Sequence, residues 1–283
     1  MILREALRQA EARISAHNIP DARIEAELLL MHALGIHRAE LYARLGESLP
    51  SGAENHFRAL IERRVRREPA AYILGRHEFY GIELHVDPRV LIPRPETELL
   101  VETALDFLRR LPQEPPRLVG DVGTGSGAVA IALALHLPGA HIYAIDASPE
   151  AIDVARLNCD RHGVGHRVEL LVGDLLGPLP CPVDLIVANL PYVKDADIPQ
   201  LMPEIRDFEP VAALSGGADG LDKVRRLLAD APSRLLPHGA VMLEIGLGQA
   251  DEATSLARKH FRQGKIDLLR DFAGIERVLQ VVT

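Results

Sequence analysis

The hydrophobic positions of the chain follow two different periods, and the change falls near residue 76. In the first 75 residues, apolar side chains recur every three to four positions, which predicts amphipathic α-helices. The first such stripe is formed by Ile2, Leu3, Ala6, Leu7, Ala10 and Ile14. We expect a second helix to begin at Pro20 and Asp21 and to end at Gly35, and a short third helix to cover residues 39–45.

A fourth helix is predicted from a capping signal. Ser51, with Glu54 three residues later, is typical of a capping box before a helix over residues 56–67. That helix ends in the basic residues Arg63, Arg64, Arg66 and Arg67. Two interpretations of these cations stay open: a solvated helix C-terminus, which favours positive charge, or a contact surface for an acidic partner.

From residue 76 onwards, apolar and polar positions alternate. Phe79, Ile82, Leu84 and Val86 lie on one face of this pattern, and Asp87-Pro88 gives a turn signal, so we predict a β-hairpin that links two domains. Pro95 is expected at the first position of a helix that runs to about residue 110. Residues 113–117 are expected to form a short connector.

Beyond the connector, short apolar segments alternate with helical ones. Strands are predicted over residues 118–122, 141–145, 168–172, 185–188, 240–245, 266–269 and 277–282, and helices over 128–136, 149–161, 221–235 and 249–261. This alternation is typical of a doubly wound α/β sheet whose strands are mostly parallel. The last two strands have no helical pattern between them, so we expect an antiparallel pair at one edge.

The predicted elements divide the chain into three parts. A helical domain is expected over residues 1–75, a β-hairpin linker over 76–95, and the α/β domain over 96–283. At 283 residues the chain is long enough for a large domain with a sizeable core and a smaller one.

Composition narrows the class of protein. Hydrophobic residues make up 47% of the chain and charged residues 25%, which is ordinary for a globular protein, and the net charge of −8 disfavours a general role in coating nucleic acid. The two cysteines, Cys159 and Cys181, form no C-x-x-C pair. No apolar run approaches the roughly 20 residues of a membrane helix, and charges interrupt the N-terminal segment. We therefore expect a soluble, cytoplasmic protein that has no disulfide framework and does not bind a membrane.

A glycine-rich turn follows the first predicted strand of the α/β domain. It consists of Gly123, Thr124, Gly125, Ser126 and Gly127, directly after Asp121 and Val122. Such a turn lets a ligand approach the backbone closely, and Asp146, at the end of the next strand, is placed to accept hydrogen bonds from ribose hydroxyls. The G-x-G-x-G spacing, without a basic residue, favours S-adenosylmethionine over a ligand with a pyrophosphate such as NAD. The alternative is a turn that needs positive φ and binds nothing.

Asp174 and Leu175 close the third predicted strand of the α/β domain. We expect Asp174 to meet the adenine amino group of the cofactor and Leu175 to pack on the adenine ring. The alternative is that Asp174 only forms a turn.

The fourth strand of this domain ends in the segment that carries the predicted chemistry. Asn189, Leu190, Pro191 and Tyr192 follow the buried strand and should lie at the crevice where ligands of open α/β sheets bind. An amide side chain, a carbonyl before a proline and an aromatic ring suit the binding of a planar NH₂ group. We assign Asn189 to the cofactor site as well. The alternative is that Asn189 caps a turn and Tyr192 belongs to the core.

A metal site is a weaker interpretation. Cys159, His162 and His166 have a spacing compatible with metal binding, but Gly163 and Gly165 favour His162 at a helix C-terminus. We therefore expect no metal.

Three segments together resemble a known family. LIPRPETELLVE (residues 91–102), DVGTGSGAVAIALA (residues 121–134) and the strand that ends in Asn-x-Pro-Tyr are similar to the glutamine methyltransferases of class I peptide chain release factors, the HemK/PrmC type. The resemblance covers nearly the whole chain, and the segment AYILGRHEFYGIELHVDPRVLIPRPETE is its most specific part. It implies a class I methyltransferase fold with a seven-stranded sheet, and a small N-terminal helical domain that recognises the substrate.

The resemblance also implies a reaction and its partners. The cofactor is S-adenosylmethionine, the product is S-adenosylhomocysteine, and the acceptor is the side-chain amide nitrogen, N5, of the glutamine in a Gly-Gly-Gln loop. Residues 189–192 would hold that glutamine, and the glycine turn, Asp146 and Asp174-Leu175 would hold the cofactor. We expect a monomer whose partner is the release factor, with no direct contact to nucleic acid.

Two positions depart from the family pattern, which usually has Asn-Pro-Pro-Tyr. Leu190 replaces the first proline, and Ser215 stands where the family commonly has Asp. Because Asn-Leu-Pro-Tyr also occurs in enzymes that methylate adenine in ribosomal RNA, an N6-adenine methyltransferase acting on RNA or DNA remains the alternative function. A non-catalytic adaptor that binds the cofactor or a translation factor is the third interpretation.

Overall fold

The computed structural model describes residues 1–111 and 116–283. Residues 113–115 of the predicted connector lie outside this part of the chain. The described residues form two compact units: Met1–Arg76 together with Met202–Phe208, and His77–Leu201 together with Glu209–Thr283. No helix in the described ranges has the length and apolar character that crossing a membrane would require.

The first unit is helical. Its helices within residues 1–76 are α1 (Leu3–Ser15), α2 (Ala22–Leu34), α3 (Arg38–Ala43), α4 (Ser51–Val65) and α5 (Ala70–Leu74). The apolar stripe predicted for α1 is its buried face, since Leu3, Ala6, Ala10 and Ile14 are buried there. They pack in one core with residues from α2, α3 and α4.

Two predictions for this unit are wrong in detail. Helix α4 begins at Ser51 rather than near residue 56, its N-cap is Pro50, and no side-chain capping bond forms, so Ser51 and Glu54 do not make a capping box. Helix α5 was not predicted, because five residues are too few for a hydrophobic period to show.

Three of the four arginines at the basic end of α4 form ion pairs within the unit. Arg64 is only 3% exposed and forms ion pairs with Glu25 and with Glu204, while Arg67 also pairs with Glu204 at 2.7 Å. Arg63 pairs with Glu68 at 2.6 Å. These three arginines therefore do not form a free cationic face, and two of them fix the short helix α9 (Pro203–Arg206), which belongs to this unit.

The second unit begins with the predicted hairpin. Strands β1 (His77–Phe79) and β2 (Ile82–Leu84) pair antiparallel, and the Tyr80 N–H donates to the carboxylate of Glu98 at 2.8 Å. Glu98 lies in α6 (Thr97–Arg110). The prediction that Pro95 is the first helical residue is wrong. The helix begins two residues later, at Thr97, with Glu96 at the N-cap.

A seven-stranded sheet forms the body of this unit. Its strands are β3 (Arg117–Val122), β4 (Ala140–Asp146), β5 (Val168–Val172), β6 (Val183–Ala188), β7 (Leu235–Glu244), β8 (Lys265–Arg270) and β9 (Glu276–Val282). Four helices accompany them: α7 (Ala128–His136), α8 (Pro149–Arg161), α10 (Asp222–Asp230) and α11 (Ala250–His260).

The strand order is β5-β4-β3-β6-β7-β9-β8. The first five strands in this order pair in parallel, and β9 pairs antiparallel with both β7 and β8. The doubly wound sheet with an antiparallel edge is therefore confirmed. One core holds α6, α7 and the hairpin, and a second core holds α10 and α11, as expected for a sheet covered on both faces.

The register of the central strands positions the functional residues. Val122 of β3 lies opposite Ala188 of β6, and Ala188 lies opposite Leu243 of β7. Because the three strands are parallel, the residues that follow them meet at one edge of the sheet. That edge carries the glycine turn, Asn189 and Glu244.

The segment before β7 differs from its prediction. Helix α10 ends at Asp230, a short 3₁₀ turn containing Pro232 follows, and β7 begins at Leu235, five residues before the predicted start at 240. Proline interrupts an α-helix because it lacks an N–H and clashes with the preceding turn. The early part of β7 includes exposed Pro237 and His238, so no apolar pattern marks it.

Candidate active site

The glycine turn connects β3 to α7 and lies directly beside Asn189. Gly123 has a φ of +78°, and a Cβ added there would lie 3.2 Å from the Asn189 carbonyl oxygen and 3.4 Å from the Leu190 side chain. Gly125 has a φ of +56°, and a Cβ there would have no atom within 4 Å. The turn thus needs glycine for close packing at one position and leaves open space at the other.

Four of the five N–H groups of this turn are used within the chain. Those of Gly123 and Thr124 donate to the Ile145 carbonyl at 2.8 and 3.0 Å, and that of Gly125 donates to Asp146 Oδ2 at 2.9 Å. The Gly127 N–H donates to the Thr124 carbonyl at 2.8 Å. A pyrophosphate site needs such groups free to bind anionic oxygens. The structure therefore supports the choice of a ligand without a pyrophosphate.

Asp146 links the turn to the start of α8. Its Oδ2 accepts from Gly125, and its Oδ1 accepts from the Ser148 N–H at 2.9 Å. Ser148 in turn caps α8 by accepting from the Ala151 N–H. These bonds fix the carboxylate at the cavity, where its remaining lone pairs are in place to accept from a ligand hydroxyl.

Asp174 and Leu175 follow β5 at the same edge of the sheet. Leu175 is buried and has a φ of +49°, a conformation that a leucine adopts only when its surroundings hold it there. Asp174 is half exposed and forms ion pairs with Lys223 and Arg226, and the hydrogen bond from Arg226 lowers its pKa. Asp174 is thus an ionised acceptor at the rim.

Three residues of the segment after β6 have different environments. Leu190 is buried in the core that contains α10 and α11, so the leucine at this departure from the family pattern fills an apolar position. Asn189 Nδ2 donates to the Thr97 hydroxyl at 3.0 Å. The Tyr192 carbonyl accepts from Gln249 at 3.0 Å, and burial raises the pKa of the Tyr192 phenol to about 12.

A cavity of about 350 Å³ joins most of the predicted site residues. Its size lies within the range of small-molecule sites. Of the residues predicted from the sequence, it is lined by Gly123, Thr124, Gly125, Ser126, Asp146, Asp174, Leu175, Asn189, Leu190 and Pro191. Gly127 and Tyr192 do not line it: Gly127 is the N-cap of α7, and Tyr192 lines a second hollow of about 150 Å³ beside Gly246 and Gln249.

Several residues of the site were not assigned from the sequence. The cavity is also lined by Arg89, Val90, Leu91 and Pro93, from the segment between β2 and α6, and by Thr97, the first residue of α6. The one signal in the sequence was that this segment carries the most specific part of the family resemblance. That resemblance did not assign a role to any of these five residues. Local patterns do not show that a loop before a helix reaches the edge of a distant sheet.

Two buried carboxyl groups also escaped the sequence analysis. Burial raises the pKa of Glu244, the last residue of β7, to about 7, although hydrogen bonds from Thr97 and Tyr192 lower it. Burial likewise raises the pKa of Asp121 to about 7, against hydrogen bonds from the Thr124 hydroxyl at 2.7 Å and the Ala130 N–H at 3.2 Å. Asp121 accepts a hydrogen bond from Thr124 of the glycine turn. Glu244 accepts one from Thr97, which in turn accepts one from Asn189.

Other residues singled out in the sequence have structural surroundings. Cys159 is buried, and the His162 ring lies 2.9 Å from the Glu83 carbonyl oxygen at the C-cap of α8. In the described residues, no group of three or more His, Cys, Asp or Glu side chains is arranged to hold a metal ion. The Ser215 hydroxyl donates to Asp195, which ties together two parts of the loop after β6.

Two family models match this chain. The PrmC N-terminal domain matches residues 5–75, and the methyltransferase domain matches residues 119–208. A release factor glutamine methyltransferase from Gloeobacter violaceus is 44% identical over 95% of this chain and 92% of its own length. One from Geobacter sulfurreducens is 42% identical over 98% and 95%.

The chain belongs to the release factor glutamine methyltransferase family. This membership confirms the resemblance found in the sequence. It agrees with the helical fold of residues 3–74 and with the methyltransferase sheet, and it implies a cofactor of the S-adenosylmethionine type.

Solved structures show the same fold at lower identity. The hMettl16 catalytic domain in complex with MAT2A 3'UTR hairpin 6 has a TM-score of 0.58 and 15% identity over 75% of this chain and 80% of that chain. A methyltransferase from Pyrococcus furiosus has a TM-score of 0.52 and 17% identity over 81% and 98%. At these identities the likeness establishes the fold alone and nothing about the acceptor.

Proposed function

We propose that this chain transfers a methyl group from S-adenosylmethionine to the side-chain amide nitrogen of the glutamine in the Gly-Gly-Gln motif of class I peptide chain release factors. The observation that carries the proposal is the single cavity that joins the glycine turn and Asp146 to Asn189, Leu190 and Pro191. A cofactor site and an acceptor site that share one cavity can bring two reactants together. The identity of the acceptor is inferred from the relatives, which are named release factor glutamine methyltransferases.

The cavity fits the cofactor in its donor set. Four of the five N–H groups of the glycine turn are bonded within the chain, and Gly125 leaves open volume at the cavity wall. Asp146 would accept from the ribose hydroxyls, Asp174 from the adenine amino group, and Leu175 would pack on the ring. When bound, S-adenosylmethionine supplies an electrophilic sulfonium methyl group and leaves as S-adenosylhomocysteine.

The residues after β6 would hold the acceptor. An amide nitrogen is a weak nucleophile because its lone pair is delocalised into the carbonyl. Asn189 Oδ1 and the Leu190 carbonyl would each accept one N–H of the substrate glutamine, which fixes the nitrogen and raises its electron density. Tyr192 lines the neighbouring hollow rather than this cavity, so it would support Asn189 and Leu190 from behind rather than touch the acceptor.

The reaction needs no strong base before methyl transfer. With the cofactor bound, its carbon–sulfur bond would break as the carbon–nitrogen bond forms, and the methylated amide nitrogen would carry a proton that is far more acidic than before. That proton would leave to water, and N5-methylglutamine would remain. The contribution of the protein is therefore orientation and electrostatics.

Radiolabelled S-adenosylmethionine offered separately with a release factor, ribosomal RNA and DNA tests the proposal. We expect label only on the release factor, at the glutamine of its Gly-Gly-Gln loop, and loss of labelling when that glutamine is replaced by Asn. Asn189→Ala should remove methyl transfer and leave cofactor affinity within a few-fold. Label on nucleic acid alone would support the adenine methyltransferase instead, and no label on any acceptor would support a non-catalytic adaptor. Neither alternative is favoured by the names of the relatives.

A further inference from the structure

A buried hydrogen-bonded chain lies behind Asn189. Asn189 Nδ2 donates to Thr97 Oγ1 at 3.0 Å, and the Thr97 hydroxyl donates to Glu244 Oε2 at 2.6 Å. Glu244 is also hydrogen-bonded by the Tyr192 side chain. Asn189 and Thr97 line the cavity, whereas Glu244 lies behind them and is 2% exposed.

Three separate elements bring these groups together. Asn189 follows β6 and Glu244 ends β7, and the parallel register of the two strands places the ends side by side. Thr97 is the first residue of α6 and is 3% exposed. The segment before α6 therefore supplies the hydroxyl that connects the two strand ends.

The carboxylate determines the direction of every bond in the chain. An ionised carboxylate only accepts hydrogen bonds, so the Thr97 hydroxyl must donate its one proton to Glu244. The Thr97 oxygen can then only accept from Asn189, which requires the NH₂ half of the Asn189 amide to face it. Asn189 Oδ1 is consequently turned away from Thr97. A bond of 2.6 Å is typical of a hydroxyl that donates to a carboxylate.

We propose that Thr97 and Glu244 are positioning residues that hold the Asn189 amide with Oδ1 directed at the NH₂ group of the acceptor. This inference rests on the proposed function and deepens it, because it names the groups that select an acceptor able to donate two N–H bonds. Through its second hydrogen bond, Glu244 also fixes the side chain of Tyr192. One buried acid is thus bonded directly to Tyr192 and, through Thr97, to Asn189.

Burial of the Glu244 carboxyl group is energetically costly, which also indicates a functional role. A carboxyl group that is almost fully buried destabilises the fold unless it is compensated, and its pKa is raised by that burial. A buried apolar residue would avoid the cost. Strongly perturbed acids in such positions are concentrated at functional sites, which agrees with the place of Glu244 beside the cavity.

Removing the hydroxyl is the direct test. Thr97→Val keeps the shape of the side chain but breaks both bonds, so kcat should fall about tenfold, the factor that corresponds to one net hydrogen bond. Cofactor Kd should stay within about twofold. Thr97→Ser restores the hydroxyl and should recover kcat to within about threefold of the wild-type value. Wild-type kcat in Thr97→Val, or no recovery in Thr97→Ser, would overturn the proposal.

Thr103→Val is the matched control. Thr103 is a second buried threonine of α6, and its hydroxyl donates to the Leu99 carbonyl within the helix at 2.7 Å. Its replacement should change the unfolding free energy about as much as Thr97→Val does and leave kcat unchanged. An equal loss of kcat in both variants would show that Thr97 acts through helix stability alone.

A pH profile separates orientation from simple packing. The charged and titratable groups that face Glu244 are Glu96, Arg277 and Tyr192. A protonated Glu244 gains an O–H group that can donate to the Thr97 oxygen, which frees the Thr97 hydroxyl to turn to Asn189 Oδ1 and reverse the chain. Wild-type kcat should therefore rise with pH to a plateau above about 7, and Glu244→Gln should abolish this rise. An unchanged profile in the variant would contradict the assignment.

A readout without turnover keeps the two proposals distinguishable. In protein labelled with ¹⁵N at asparagine, the Asn189 side-chain NH₂ resonances should shift in Thr97→Val and in Glu244→Gln, but not in Thr103→Val. If the wild-type protein methylates no release factor, the proposed function fails, and these resonances still decide the hydrogen-bonded chain. Unshifted Asn189 resonances in both variants would refute the chain while leaving the methylation result intact.

Discussion

The contact between the glycine turn and Asn189 can be tested with two alanine substitutions, one at Gly123 and one at Gly125. Gly123 and Gly125 both have positive φ, at +78° and +56°. An L-residue in that region costs about 1–2 kcal/mol, so Gly123→Ala and Gly125→Ala should lose similar unfolding free energy. They differ in what the new methyl group meets.

At Gly123 the methyl group meets the acceptor site. Its position lies 3.2 Å from the Asn189 carbonyl oxygen and 3.4 Å from the Leu190 side chain, so these groups must move by a few tenths of an ångström. A displacement of about 1 Å at a reacting group can cost about 100-fold in rate, and a third to a half of that displacement about five- to tenfold. We therefore expect Gly123→Ala to lower kcat at saturating cofactor by about tenfold.

At Gly125 the methyl group enters the open wall of the cavity. No atom lies within 4 Å of its position, so Asn189 stays in place and the cost falls on cofactor binding. Cofactor Kd should rise about tenfold or more, while kcat at saturating cofactor stays within about threefold of wild type.

Three measurements on each variant decide this prediction. Urea denaturation gives the unfolding free energy, isothermal titration calorimetry gives the cofactor Kd, and methyl transfer to a release factor at saturating cofactor gives kcat. Equal kcat losses in the two variants, at equal unfolding free energies, would refute the view that Gly123 acts through its contact with Asn189.

Three further predictions concern stability. Asn158 is fully buried and bonds the His85 N–H, the His85 carbonyl and the Ser126 carbonyl, so Asn158→Ala should lower the unfolding free energy by about 3 kcal/mol in urea denaturation. The pKa of Asp121 is raised from 3.8 to about 7. The stability that the protonated Asp121 contributes is therefore fully present below about pH 4 and is lost as pH rises through about 7. Asp121→Asn should flatten this part of a plot of Tm against pH. Arg94 pairs with buried Glu209 at 2.6 Å, so Arg94→Ala should cost about 3–5 kcal/mol by leaving that carboxylate unpaired, and adding Glu209→Gln should recover part of the loss.

Each of these has a result that would contradict it. A loss below about 1 kcal/mol in Asn158→Ala would mean that water replaces its three partners. An unaltered pH slope in Asp121→Asn would assign the slope to other acids. Additive losses in the double variant of Arg94 and Glu209 would show that the two residues do not act as a pair.

The sequence by itself determined the sheet and one side of the site. Strands and crossover helices have local hydrophobic periods, and the glycine turn, Asp146, Asp174 and Asn189 each follow a strand that such a period marks. Because the carboxyl ends of parallel strands meet at one edge, locating the strand ends was enough to bring these residues to one cavity. The spacing of the glycines also predicted a ligand without a pyrophosphate, which the bonding within the turn supports.

The starts of the helices and of strand β7 were predicted less well, because the local sequence signals at these places do not match the structure that forms. The Ser51 and Glu54 pair matches a capping box, yet the chain enters α4 one residue earlier through Pro50. In the first half of β7, Pro237 and His238 are exposed and Leu235 and Leu236 are only partly buried, so no clear apolar pattern marks this part of the strand. In these places pairing and packing with distant segments outweigh the local preference.

Only the tertiary structure decided which groups stand behind Asn189. Thr97 lies 92 positions before Asn189 and 147 positions before Glu244, and no local pattern relates residues so far apart. The same holds for Arg64, which finds Glu204 at a separation of 140 positions. Hydrophobic periods report which face of an element is buried, whereas the partner of a buried polar group depends on how whole elements pack, and that packing is fixed only when the chain has folded.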